Sequence, residues 1–293
     1  MARAWEFFDD PAAFLAVAGG HLALDPVLNT VVAGIAERSV REGVPADGTP
    51  HWYAVTRAVD GRVDGVAMRT APFAPHPPYV LPMPEDAAVG LARLMHARGK
   101  HFAGVNGALP ATQWFADEGA TLTGRTASVC IHTRLFELRE VIAPSVPPGD
   151  LRPAAPGDAD LALEWFRAFH READEQAGWE SGHDDGSAAT RDDVVARIET
   201  GRLFFWEVDG ERVHLTGASP PTYGVSRIGP VFTPREHRGR GYASAAVARV
   251  SQQILDIGAR PCLFTDRANP VSNAIYRAIG YEPVADMANF VVE

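Results

Sequence analysis

Phe232-Thr233-Pro234-Arg235-Glu236-His237-Arg238-Gly239-Arg240-Gly241-Tyr242-Ala243-Ser244 decides the reading of this 293-residue chain. A strand-like apolar run, Val225 to Thr233, leads into it, and apolar residues at helical spacing follow from Ala243 to Ile257. Gly239 and Gly241 permit backbone conformations and a close approach that a Cβ forbids. The helix start then offers unpaired N–H groups and the positive end of the helix dipole, which together seat an anion. Arg238 and Arg240 add positive charge. Glycines here also serve a plain tight turn, so the strand–turn–helix context and a second motif carry the functional reading, a pyrophosphate cradle.

The second motif is Asn269-Pro270-Val271-Ser272-Asn273-Ala274-Ile275-Tyr276-Arg277-Ala278-Ile279-Gly280-Tyr281. It reads as a helix entered at Asn269 and closed by Gly280. Ser272 and Tyr276 are four apart and share a face. An amide at the helix entrance can bond the amides of an extended ligand, and a phenol on the same face can deliver a proton nearby. Taken alone, the pair is also an N-cap and a core tyrosine.

Together the motifs resemble the GNAT N-acetyltransferase superfamily. Its Q/R-x-x-G-x-G/A signature is matched by Arg238, Gly241 and Ala243. Its N-x-x-A/S-x-x-x-Y signature, followed by G-F/Y, is matched by Asn269, Ser272, Tyr276, Gly280 and Tyr281. The resemblance covers about residues 151–293 and implies an α/β (α+β) fold, a mixed and mostly antiparallel sheet flanked by helices and splayed at its centre. It implies acetyl-CoA as cosubstrate. Backbone of Val231, Phe232 and Thr233 would meet the pantetheine arm, and Arg238, Gly239, Arg240, Gly241, Tyr242, Ala243 and Ser244 the pyrophosphate. Asn269, Ser272, Asn273 and Tyr276 would complete the site, with Tyr276 protonating the departing thiolate.

Outward from the motifs, Leu151-Arg152-Pro153 reads as a short strand and Asp158 to Phe169 as a helix. Thr190 caps a second helix, with Asp193 three residues on. Leu203 to Val208 and Val213 to Ala218 form a hairpin around Asp209-Gly210. Pro261 to Thr265 is a buried strand, and Val284 to Val292 completes the sheet. The Pro-rich seam Ala143 to Asp150 reads as a linker between domains 1–142 and 151–293.

The first half repeats this order faintly. His51 to Arg57 and Val63 to Thr70 read as paired strands around Asp60-Gly61, Pro84 to Ala97 as a helix, Phe102 to Val105 as a strand, and Ala111 to Glu118 as a helix ending at Gly119. Pairing Gly119 with Gly280 puts Phe115 in the place of Tyr276 and Ala108 in that of Asn269. Pro77-Pro78-Tyr79-Val80-Leu81-Pro82-Met83-Pro84 stands where a glycine-rich turn would be. The first half is therefore expected to be a degenerate GNAT-like domain, giving a tandem arrangement.

An acceptor amine must lose a proton, yet Val225 to Thr233 holds no carboxylate. Glu207 and His214 on the hairpin are the candidate catalytic bases, acting directly or through water. The segment Glu172 to Asp185 is rich in carboxylates, lacks Lys and Arg, and carries Trp179; by the resemblance it covers the acceptor site and suits a cationic amine. No nucleophile with a partnering base is evident, so transfer is expected to be direct, in a ternary complex.

Composition is ordinary for a globular protein: 46% hydrophobic, 22% charged, formal net charge −10. That balance disfavours nucleic acid as a partner. Two cysteines, Cys130 and Cys262, make no disulfide framework, and no His/Cys cluster has metal-ligand spacing. The N-terminus lacks a signal-peptide pattern, and no run is long enough to span a membrane, so a cytoplasmic place is expected. Acceptor identity, acyl-chain preference and oligomeric state stay open. Two rival readings remain: a non-catalytic acetyl-CoA-binding regulatory module, and transfer of another acyl group.

Overall fold

A computed structural model describes residues 3–44, 50–71, 76–100, 102–176 and 190–293, with the side chains of 173–176 outside the description. The chain folds into two compact units. The first comprises Met1–Leu135, Asp266–Ala268 and Val284–Glu293; the second comprises Phe136–Thr265 and Asn269–Pro283.

In chain order the elements are β1 (Trp5–Phe8), α1 (Pro11–Leu22), α2 (Thr30–Glu42), β2 (Trp52–Arg57), β3 (Val63–Arg69), β4 (Tyr79–Val80), α3 (Glu85–Ala97), β5 (Gly104–Ala108), α4 (Ala111–Thr123) and β6 (Ala127–Glu137). There follow β7 (Asp150–Pro153), α5 (Ala159–Gln176), α6 (Arg191–Glu199), β8 (Leu203–Val208), β9 (Glu211–Ala218), β10 (Val225–Phe232), α7 (Tyr242–Asp256), β11 (Arg260–Asp266), α8 (Pro270–Ile279) and β12 (Glu282–Val292). Strands and helices mix as an α/β fold, with antiparallel pairs predominating.

In the first unit, β1, β2, β3 and β4 pair antiparallel in turn, and β4 pairs parallel with β5. Helices α3 and α4 bury Leu91, Met95, Phe115 and Ala116 against this sheet. In the second unit, β7, β8, β9 and β10 pair antiparallel, and β10 pairs parallel with β11. Helix α7 lays Val247, Val250 and Ile254 on one side of it, where Ile279 of α8 joins the same core. Helices α5 and α6 place Trp165, Phe166, Val194 and Ile198 in a core with Phe205 and Phe232. The Thr190 capping box forms as expected, with the Thr190 side chain accepting from the Asp193 N–H.

Three features differ from the sequence expectations. The units divide at Leu135/Phe136 rather than at the proline seam. The seam belongs to the second unit: its Pro148 carbonyl accepts from Trp206 Nε1 at 2.9 Å, and just before it the Ile142 N–H donates to the Ile279 carbonyl at 2.7 Å. Residues 284–293 belong to the first unit, where Met287 to Val291 pair with β5 and Ala288 and Phe290 enter its core. Lastly, α4 runs past Gly119 to Thr123 and is capped by Gly124. Gly119 is a contact glycine inside the helix, since a Cβ there would stand 2.5 Å from the Phe102 ring. The repeat offset based on Gly119 therefore does not match the helix ends.

Candidate functional site

The site grows from the place where β10 outruns its neighbour. β10 pairs with β11 from Val225↔Arg260 to Arg227↔Cys262, then continues alone on that side to Phe232. On its other side it follows β9, with a register shift between Ile228 and Val231. The irregularity rests directly on β9: a Cβ on Gly217 would lie 2.8 Å from the Gly229 carbonyl oxygen. Backbone groups on the freed edge of β10 are thus available to an extended ligand.

After β10 a short turn, Arg235–His237, leads to Gly239 (φ 74°) and Gly241 (φ 84°). Left-handed backbone of this kind costs other residues roughly 1–2 kcal/mol. Gly241 caps α7 with no side-chain bond, and the first turn holds no acidic residue. Among the described residues, no N–H from Gly239 to Ser244 meets a protein acceptor. These donors, added to the positive end of α7, make the anion seat.

The arginines of this loop are arranged otherwise than expected. Arg238 donates through Nε to the Thr233 carbonyl (2.8 Å) and through its terminal nitrogen to Glu172 (2.5 Å). Glu172 also holds Arg235 at 3.4 Å. Arg238 is thus a clasp between strand end, loop and α5, and its charge is shared with a carboxylate. Arg240 donates to the Glu236 carbonyl.

Asn269 caps α8, its side-chain oxygen accepting from the Ser272 N–H at 3.0 Å. Its side-chain nitrogen has no protein partner among the described residues. Asn273 turns back, donating to the Asn269 carbonyl at 2.6 Å. The Tyr276 hydroxyl makes no hydrogen bond among the described residues, and burial pushes its pKa up to about 12. Its ring meets Tyr281 edge to face at 6.0 Å. Tyr281 is itself pinned through a 2.8 Å bond to Ser251, which donates to the Val247 carbonyl.

These parts surround one cavity of about 640 Å³, an ordinary size for a small-molecule site. Val231 to Thr233, Arg238 to Ser244, Asn269, Ser272 and Tyr276 all line it; Asn273 does not. Phe169, Glu172, His237, Val271 and Ile275 also line it. Of these, Ile275 was findable, since it shares the helix face of Ser272. The inward placing of Phe169, Glu172 and His237 depends on tertiary packing and left no mark in the sequence pattern.

Neither candidate base lines the cavity. Glu207 is ion-paired with Arg152 at 2.6 Å, within a cluster that also holds Asp158 and Arg212. Desolvation alone accounts for the lowering of His214, which is fully buried and pushed down to about 3. Its ring nitrogens each lie 2.7 Å from a threonine hydroxyl, Nδ1 from Thr233 and Nε2 from Thr216. His214 therefore does not line the cavity, and its hydrogen bond to Thr233 ties it to a residue that does. Most of the acidic segment, residues 177–189, lies outside the described residues, as do the side chains of 173–176. No helix among the described residues is long and apolar enough to cross a membrane.

A family model described as FR47-like protein matches residues 210–290, which contain both motifs. No curated protein sequence matches the chain. Among solved structures, the chain is similar to a GNAT-family acetyltransferase from Colwellia psychrerythraea, at 12% identity, covering 99% of this chain and 100% of that one, TM-score 0.58. It is similar to a GCN5-related N-acetyltransferase from Sphaerobacter thermophilus, at 17% identity, 98% and 94% coverage, TM-score 0.58. A tandem GNAT protein from the clavulanic acid biosynthesis pathway matches at 16% identity, 99% and 98% coverage, TM-score 0.57. The fold is that of the GNAT acetyltransferases over nearly the whole chain, and the likeness read from the two motifs holds.

Proposed function

We propose, from the premise of a GNAT fold, that this protein transfers an acetyl group from acetyl-CoA to an amine at the cavity of its second unit. The observation that carries this reading is the run of unpartnered N–H donors from Gly239 to Ser244, opening on the cavity that Tyr276 also lines. Those donors suit the diphosphate of coenzyme A, and the freed edge of β10 at Val231 and Phe232 suits its amide-bearing arm.

The net reaction joins the amine nitrogen to the acyl carbon, breaks the carbon–sulfur bond and moves one proton from nitrogen to sulfur. Tyr276, raised to about 12, keeps its proton at neutral pH and would donate to the sulfur as negative charge develops there. Transfer would be direct. Ser244 and Ser272 have no base bonded to them among the described residues, and His214, behind Thr233, is too weak a base at about 3 to activate that hydroxyl. The acceptor is a small-molecule or peptide amine, and the carboxylates between Glu172 and Asp185 support a cationic one.

A second reading, a coenzyme-binding module without turnover, is favoured by one observation: the cavity's Glu172 is held by Arg235 and Arg238. An amine library screened for release of coenzyme A separates the two. Tyr276→Phe is expected to lower turnover by about 10²-fold or more, with coenzyme affinity retained. Unchanged turnover removes Tyr276 from the mechanism, and tight binding with no turnover on any amine selects the module.

A further inference from the structure

Thr216, His214 and Thr233 form a short chain from the sheet interior to the cavity wall. A neutral imidazole has one N–H and one bare nitrogen, so it donates to one threonine and accepts from the other. Thr216 decides which. It is fully buried, and among the described residues its hydroxyl has no other partner than His214 Nε2. Were Thr216 to accept from Nε2, its own proton would be sealed in the core without an acceptor, which costs far more than idle lone pairs. Thr216 therefore donates to Nε2, and the imidazole proton sits on Nδ1.

The consequence reaches the cavity. Nδ1–H donates to Thr233 Oγ1, leaving the Thr233 proton without a partner among the described residues. Thr233 lines the cavity, and its carbonyl is already held by Arg238. We propose that Thr233 is a hydroxyl donor to an oxygen of the coenzyme, a carbonyl of its arm, and that His214 is the positioning residue which sets that polarity. This rests on the coenzyme reading above and adds to it a contact made by a side chain.

Two measurements test it. Long-range ¹H–¹⁵N correlation on the wild-type protein, with the His214 signals identified by their loss in His214→Gln, should find Nδ1 protonated and Nε2 bare. Calorimetry with coenzyme A should find Thr233→Val weakened about 3- to 10-fold, and Thr233→Ser within about twofold of wild type. The fragment adenosine 3′-phosphate 5′-diphosphate, which lacks the arm, should bind Thr233→Val and wild type alike; an equal loss on the fragment moves the contact to a phosphate oxygen and overturns the arm assignment. A protonated Nε2, or Thr233→Val binding coenzyme A as wild type does, overturns the proposal while the coenzyme reading stands. Wild type binding neither ligand removes both.

Discussion

The β4-to-α3 junction of the first unit and the β10-to-α7 junction of the second have the same topology and opposite chemistry. In each, a strand lies antiparallel to a hairpin partner, parallel to a later strand, and leads into a helix on the sheet. β4 ends at Val80, where its parallel pairing ends, and Leu81-Pro82-Met83-Pro84 runs straight into α3. The first turn of α3 carries Glu85 and Asp86, and the Ala87 and Ala88 N–H groups close on the Pro84 carbonyl. β10 instead overruns its parallel partner, turns through Gly239 and Gly241, and enters α7 where, among the described residues, the first helix N–H to meet a protein acceptor is that of Ala245, on the Gly241 carbonyl. The bare N–H groups are thus a property of the overhang and the loop, not of the shared fold.

The largest effect expected from this contrast is on acid stability. His214 lies at about 3, below its ordinary 6.5, because burial disfavours the charged ring. Its contribution is complete above pH 6.5 and is lost as pH falls toward 3, amounting to on the order of 5 kcal/mol. Asp158 is held below the usual carboxylate range, first by its hydrogen bond to Arg152, so its contribution is present above the ordinary value of 3.8 and is lost as pH falls further. Hydrogen exchange from neutral pH to about pH 4 should show β9 and β10 losing protection before β2 and β3. Equal protection in both units would contradict the sealed, neutral state of His214.

Next comes Gly241→Val. It forces a β-branched residue into left-handed backbone and puts its methyl groups into open space on the cavity side. Coenzyme A affinity should drop by about 100-fold or more by calorimetry, with the first unit's melting unchanged. Retained affinity would show that the loop is not the cradle.

A smaller effect sharpens the contrast most. Ala243→Asp gives α7 the kind of acidic first turn that α3 already has. A carboxylate there stabilises a helix by about 0.3–1 kcal/mol, so the melting temperature should hold or rise. Coenzyme affinity should nevertheless fall by about tenfold, more at low salt, as like charges meet. Unaltered affinity with the aspartate in place would break the link between first-turn charge and ligand.

Much of the fold and of the site is legible in the sequence because its causes are local. Thr190 with Asp193, Gly280 after Ile279, and the glycines ahead of Tyr242 act within a few residues of themselves, so the residue order alone places the elements and both motifs. The want of a glycine-rich turn in the first half is likewise visible in the residue types at 77–84. The candidate bases are misplaced by sequence reasoning for the opposite reason. Glu207 and His214 look like ordinary strand residues, and only their neighbours across the sheet commit one to Arg152 and enclose the other between Thr216 and Thr233.

By itself, then, the amino-acid order determined which segments become strand, turn or helix, and where bare N–H groups gather at a helix start, because hydrogen-bonding period and backbone sterics operate over a few residues. Tertiary structure alone decided that 284–293 belongs with the first unit, that Glu172 clasps Arg238, and that His214 faces Thr233. Each of those joins residues far apart along the chain, and a strand edge or a buried ring acquires its partner only when the sheet is assembled.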